Sequence, residues 1–346
     1  MSKMLEEIRE QPGALERTLK AERGPIEKLR AMLEHERPRM ILLAARGTSD
    51  NAAQFGRYLL EITTGIPVSL AAPSIFTLYQ APFRFDGVLT IAISQSGEST
   101  DTNLVLERAR EQGARTIGVT NEASSAMARI AEHVFLVHAG REQSVAATKT
   151  YTGQLLMLYL LAYALGGRIS PDNLERLPDW ASQSVSLEPQ IARHAERYRF
   201  MDHAVVLGRG LNYANAFEFA LKLMETCYVI AERFSSADLM HGPIAMVEQS
   251  FPAFLFTPSG VTWAGMREMV EKLAALRAET LLITDRSNSE AMGMGKNAIE
   301  VPVALEEIYT PIPYIIPAQV FAASLAGEKG LNPDQPRTIS KVTRTM

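Results

Sequence analysis

The chain has 346 residues, 47% apolar and 21% charged, with a formal net charge of −4 and a pI near 6.0. That length exceeds one ordinary core and suits two domains of about 150 residues each plus extra elements. The weak negative charge offers no cationic field for a phosphate backbone, so nucleic acid is not an expected partner. The first twenty residues carry charges throughout and hold no apolar core of a secretory signal, so a cytoplasmic location is expected. The longest apolar run, Leu155 to Leu165, is too short for a bilayer, which needs roughly 20 residues. It reads instead as a buried helix that wants cover beyond one lobe, as at a subunit contact, and no membrane association is expected. Cys227 is the only cysteine, which excludes an intrachain disulfide. No Cys/His cluster has the spacing of a zinc site, so neither metal nor cofactor is expected.

In chain order, residues 1–37 read as a helical arm interrupted by the turn signal Gln11-Pro12-Gly13 and packed on the first lobe. After Pro38 a strand at Met40 to Ala44 precedes a helix carrying Phe55, Leu59 and Ile62. Further strands are expected at Val68 to Leu70, Val88 to Ile93, Thr116 to Val119 and Val134 to Val137, spaced widely enough for crossover helices or long loops. Such alternation predicts an α/β fold with a mostly parallel, doubly wound sheet.

The second half repeats the first. An offset of 163 residues superposes Arg46-Gly47 on Arg209-Gly210 and Ser96-Gly97 on Ser259-Gly260, each pair following an apolar strand. With one added residue, Thr116 to Thr120 falls on Thr280 to Thr284. Two tandem α/β lobes are therefore expected at 38–185 and 186–330, with a tail at 331–346 that closes the active site.

The segment Ser94-Gln95-Ser96-Gly97-Glu98-Ser99 follows a continuous apolar strand and opens a helix. Serine hydroxyls, with N–H groups freed by Gly97 and by the helix N-terminus, would surround an anion with donors and a positive dipole end. Taken alone, the segment also suits an ordinary turn with Ser/Thr capping. The repeat copy, Thr257-Pro258-Ser259-Gly260-Val261-Thr262, loses a donor to proline and gains an apolar side chain. The first lobe is therefore the expected phosphate binder. Neither Ala45-Arg46-Gly47-Thr48-Ser49 nor Gly208-Arg209-Gly210 completes a dinucleotide fingerprint. Thr48 and Ser49 nonetheless sit where open α/β sheets place ligands. On a helix from Ala214 to Cys227, Glu218, Lys222 and Glu225 form one polar stripe, which by spacing alone is a solvated face. His241 lies in the turn Met240-His241-Gly242-Pro243, and Lys341 lies in a tail that would by itself be frayed.

The segments ARGTSDNA, SQSGESTDT, VAATKTYTGQL, LGRGLNYANAFEFALKLMET, SSADLMHGP and PDQPRTISKVT resemble the tandem sugar isomerase (SIS) domains of glutamine–fructose-6-phosphate aminotransferases. The resemblance spans residues 40 to 346 and implies two SIS domains, each a doubly wound sheet flanked by helices. It implies a sugar-phosphate ligand whose phosphate is bound by Ser94, Gln95, Ser96 and Ser99, with Thr48 and Val145 also lining the site. It also implies Glu225 as the C1/C2 proton shuttle, Lys222 as its partner, His241 as a ring-opening group from the neighbouring subunit of a homodimer or larger assembly, and Lys341 as an imine-forming amine. Ser99 stands where the synthase has threonine, which keeps the hydroxyl, whereas Ala147 replaces a serine that touches the sugar. The synthase carries an N-terminal glutaminase domain and this chain starts with the helical arm, so no glutamine-derived ammonia is expected. The ending, with SVAATK and SSADLMHGP, looks closest to stand-alone SIS-type glucosamine-6-phosphate deaminases. The same acid/base set would serve a fructosamine-phosphate deglycase or an aldose/ketose isomerase. A non-catalytic sugar-phosphate sensor is the alternative of another class, and it predicts loss of Glu225, Lys222, His241 and Lys341.

Overall fold

The computed structural model describes residues 2–338 and Lys341. The chain divides into two compact units. The N-terminal unit comprises Glu10–Glu142 and Lys149–Pro178 together with Lys341. The C-terminal unit comprises the residues up to Arg9, Gln143–Thr148 and Asp179–Thr338. The rest of the tail after Thr338 lies outside the described residues.

The N-terminal unit is built on strands β1 (Met40–Ala44), β2 (Val68–Leu70), β3 (Val88–Ile93), β4 (Arg115–Thr120) and β5 (His133–Leu136). They lie in the order β2-β1-β3-β4-β5 and every pairing is parallel. Leu89 to Ile93 of β3 are all buried, as a central parallel strand covered on both faces requires. The helix Lys149–Ala164 is buried at every residue but Tyr163 and packs on the helices Gln11–Leu33 and Thr48–Thr64 of the same unit. Gly56 permits that approach, since a Cβ there would lie 2.8 Å from Leu158 Cδ2 and 3.1 Å from Leu43 Cδ1. Cover for the Leu155 to Leu165 run is thus supplied within the chain, and the run itself calls for no subunit contact. Pro12 also departs from its expected role, because it lies in the first turn of the helix Gln11–Leu33. The N–H that proline lacks is not needed there, so the turn signal marks a helix start.

The C-terminal unit repeats the plan with β6 (His203–Gly208), β7 (Ile230–Ser235), β8 (Pro252–Phe256), β9 (Glu279–Asp285) and β10 (Asn297–Val301). Their order, β10-β9-β8-β6-β7, is the same succession read from the other edge, again all parallel. The repeat extends to helices that the sequence reading left unpaired. Lys149–Ala164 has its counterpart in the buried helix Pro311–Glu328, which packs on the helices Tyr213–Cys227 and Glu188–Arg197. Phe219, Phe254 and Phe321 meet edge to face with ring centroids 5.1 to 5.7 Å apart, which fixes this core around aromatic rings. Among the described residues no helix is long and apolar enough to cross a membrane.

Candidate functional site

In a doubly wound sheet of this order the ligand crevice opens at the carboxyl ends of the first and third strands, where the chain reverses its direction of winding. Ala44 of β1 pairs with Ala92 of β3, so the turns that follow them are neighbours. The first brings Arg46, Thr48 and Ser49, and the second brings Ser94, Gln95, Ser96 and Ser99. An ion pair ties the two together, with Arg46 Nη2 2.8 Å from Asp101 Oδ2 in the first turn of the helix Thr100–Glu111. Neither partner was read from the sequence as a site residue, because nothing but the fold brings them together.

The serine loop is held tightly. Gly97 has φ 64°, and a Cβ there would run into Ser125 and lie 2.9 Å from Thr120 Oγ1, so only glycine fits. Its N–H is not free as expected, since it donates to Ser94 Oγ at 3.1 Å, and Glu98 N–H donates to Ser96 Oγ at 3.2 Å. These bonds leave each hydroxyl its own proton to donate. Ser99, the residue before the helix, makes no side-chain cap and lies 3.0 Å from Thr102 Oγ1 instead. The helix N-terminus therefore keeps its positive end uncapped by that hydroxyl.

The equivalent place in the C-terminal unit is closed. Glu307 accepts from Thr262 N–H at 3.2 Å and from Thr262 Oγ1 at 2.7 Å, at the start of the helix Trp263–Ala275. A Cβ on Gly260 would strike the same carboxylate. An internal carboxylate thus stands where an anion would bind, and Val261 beside it is 95% exposed.

Chemistry in this unit is concentrated on the helix Tyr213–Cys227. Glu218 and Lys222, expected on a solvated face, have no exposed side-chain surface. Lys222 Nζ lies 3.3 Å from Glu218 Oε1 and 2.7 Å from Glu225 Oε2, and the Glu225 side chain is 24% exposed. Burial pulls the Lys222 ammonium down, but Glu218 and Glu225 overcome that pull and hold its pKa above the ordinary lysine value. The lysine is therefore a fixed cation beside one carboxylate that reaches solvent. Glu218 was read from sequence only as part of the stripe, and its negative charge, with that of Glu225, is what keeps the lysine charged.

His241 follows the short helix Ser236–Met240 in an exposed turn, where Gly242 has φ 142°. Among the described residues no hydrogen bond joins its imidazole to Glu225 or Lys222. Val145 and Ala147 are half-buried in the segment Gln143–Thr148 and alternate with buried Ser144, Ala146 and Thr148. The segment is held by Glu7, which accepts from Ser144 N–H at 3.2 Å, and by Gln319, which donates to Thr148 O at 3.3 Å. In the N-terminal unit Lys341 Nζ lies 2.9 Å from Glu142 Oε2, a fully buried carboxylate that also accepts from Thr150 N–H and Oγ1.

Two parallel 2-1-3-4-5 units, one with a serine loop at its winding reversal and one with a helix that buries Glu218 and Lys222 beside the partly exposed Glu225, define a tandem α/β protein. The model of the SIS domain matches residues 33–164 and 199–329, and the chain belongs to the SIS domain family. Over 98% of its length it is 35% identical to a glutamine–fructose-6-phosphate aminotransferase [isomerizing] from Aquifex aeolicus, and it spans 57% of that relative. The C-terminal domain of glucosamine-fructose-6-phosphate aminotransferase from Francisella tularensis superposes with a TM-score of 0.89 at 27% identity, covering 97% of this chain and 98% of that one. A glucosamine-6-phosphate deaminase from Thermotoga maritima shares the fold, with a TM-score of 0.76 at 22% identity over 99% of this chain and 100% of that one.

Proposed function

We propose that the chain is a phosphosugar isomerase-type deaminase that converts glucosamine 6-phosphate and water to fructose 6-phosphate and ammonia. The observation that carries this reading is Glu225, a partly exposed carboxylate held 2.7 Å from a buried ammonium on one helix. Ser94, Gln95, Ser96 and Ser99 would hold the phosphate, with Thr48, Ser49, Val145 and Ala147 lining the rest of the site, and that binding energy positions the reacting end. His241, from the partner subunit of a homodimer, would protonate the ring oxygen as the anomeric hydroxyl loses its proton, which opens the pyranose.

Glu225 would then take the C2 proton from the open-chain aldehyde. The electron pair left at C2 forms the C1–C2 double bond of an enolamine, and the carbonyl oxygen takes up a proton. Returning the proton to C1 gives the C2 imine, which water hydrolyses to ketone and ammonia. Lys222 would stabilise negative charge near the carboxylate without moving a proton itself, since its pKa is raised. Lys341 would assist by transimination or by closing over the intermediate. The proton moves within the substrate and no electrons leave it, so the balance needs no redox partner.

The ammonia of this reaction comes from the sugar. Releasing it from glutamine takes an activated nucleophile, usually a thiolate. Burial pushes the thiol of Cys227, the only cysteine in this chain, up to about 11, and its sulfur lies 3.2 Å from Ala322 O.

Incubating the purified chain with glucosamine 6-phosphate, a fructosamine phosphate and plain hexose 6-phosphates in parallel tests the reading, with ammonia, free amine and ketose measured. Ammonia from the first substrate is the expected result. Free amine from the second alone would move the chain to a deglycase, and turnover of the plain hexose phosphates alone would make it an aldose/ketose isomerase. Binding with no turnover at all would make it a sensor.

A further inference from the structure

One hydroxyl at the winding reversal has its direction set from behind. Ser49 is 7% exposed in the first turn of the helix Thr48–Thr64, and its Oγ accepts from Gln154 Nε2 at 2.9 Å. A serine hydroxyl carries a single proton. With its oxygen occupied as an acceptor from Gln154, that proton is left to donate, and among the described residues no acceptor takes it. Gln154 is 1% exposed on the buried helix Lys149–Ala164, and its Oε1 has no hydrogen-bond partner among the described residues. A half-satisfied buried amide is an expensive way to fill a core position. The half that is engaged serves Ser49.

The internal repeat supplies a contrast. Under the 163-residue offset the counterpart of Ser49 is Asn212. Asn212 Nδ2 donates to Thr310 Oγ1 at 2.7 Å, and its Oδ1 accepts from Asn215 Nδ2 at 2.9 Å. Both ends of that amide are used inside the unit whose anion position Glu307 already fills. In the N-terminal unit, by contrast, the Ser49 hydroxyl proton has no acceptor among the described residues.

We propose that Gln154 is a positioning residue that fixes Ser49 as a hydrogen-bond donor to an acceptor oxygen of the sugar phosphate. The inference rests on the reading of the winding reversal as the phosphosugar site, and Gln154 acts only through Ser49.

The test measures the affinity of the whole chain for inorganic phosphate and for glucosamine 6-phosphate by calorimetry, with KM, kcat and melting temperature alongside. Ser49→Ala removes the donor. Gln154→Glu replaces the amide donor with an acceptor that captures the Ser49 proton. A hydrogen bond to a charged oxygen corresponds to roughly 10-fold to 150-fold in affinity, and both variants are expected to weaken binding within that range with kcat changed far less than KM. Gln154→Leu, which carries no charge into the core, is expected to weaken it by roughly 2-fold to 12-fold, the worth of a neutral bond. The double variant Ser49→Ala/Gln154→Leu is expected to bind no worse than Ser49→Ala, because both changes act on one hydroxyl. Loss with glucosamine 6-phosphate alone assigns the acceptor to the sugar, and loss with both ligands assigns it to phosphate.

A weakened Ser49→Ala beside Gln154 variants that melt lower yet bind normally would overturn the inference and leave the site reading intact. Unchanged binding in Ser49→Ala would remove Ser49 from the site. A wild-type chain that binds neither ligand would remove the site reading itself.

Discussion

Lys222→Met removes one positive charge and keeps an unbranched side chain of similar reach. In the wild type neither Lys222 nor Glu218 has exposed side-chain surface, and the ammonium lies 3.3 Å from Glu218 and 2.7 Å from Glu225. The variant leaves the Glu218 carboxylate buried without that counter-charge, a change worth about 3 to 5 kcal/mol. At roughly 2 to 4 °C per kcal/mol for a unit of this size, the melting temperature should fall by roughly 6 to 20 °C. The deficit also depends on pH. Without Lys222 the Glu218 carboxyl has a folded-state pKa above its unfolded value, so the folded chain binds more protons and loses stability as pH rises through that window. The deficit against wild type is therefore larger at about pH 8 than at about pH 5. In the wild type the contribution of Lys222 shows no such loss there. The Lys222 pKa is raised, so its contribution is complete below the unfolded lysine value of about 10.4 and fades only above it. Thermal melts followed by circular dichroism at both pH values decide the matter. Equal melting temperatures, or a deficit of constant size, would refute the buried counter-charge.

Ser96→Ala should raise KM for phosphosugars by roughly 10-fold to 150-fold with little change in melting temperature, and unchanged KM in steady-state assays would remove the loop from the site. Glu307→Ala removes the internal carboxylate from the start of the helix Trp263–Ala275. Calorimetry with inorganic phosphate should then find two binding events per chain in place of one, and a single event would show that Glu307 masks nothing. Inactive His241→Ala and Glu225→Gln chains, mixed, should regain roughly a quarter of wild-type activity through hybrid sites if each site takes His241 from its partner. No regain in a chain shown by light scattering to be a dimer would put both groups in one subunit.

The tandem plan was legible because strand periodicity and two Gly-containing turns recur at one offset, and parallel strands buried on both faces announce themselves as apolar runs. The helix Pro311–Glu328 escaped notice because Pro311, Pro313 and Pro317 disguise an apolar run that the fold accommodates. Glu218, Lys222 and Glu225 were found by spacing, but spacing could not say that two of them are buried. That fact depends on which face of the helix the core covers. Glu142 and Glu307 lie outside the recognisable segments, and Asp101 and Gln154 lie within them without any spacing that marks their roles. Each acquires its meaning from a partner far away in sequence, Lys341 at 199 residues from Glu142 and Ser49 at 105 from Gln154.

In the proposed reaction Glu225 moves a proton between C2 and C1 of a bound sugar phosphate. Glucosamine 6-phosphate or fructose 6-phosphate incubated with the wild-type chain in deuterated water, and followed by NMR, reads that step whether or not ammonia is released. Deuterium is expected at C1 or C2 with the wild type, and at a rate lower by about 100-fold or more with Glu225→Gln, which keeps the side-chain volume and removes the base. Exchange at the wild-type rate in Glu225→Gln would contradict that role of Glu225.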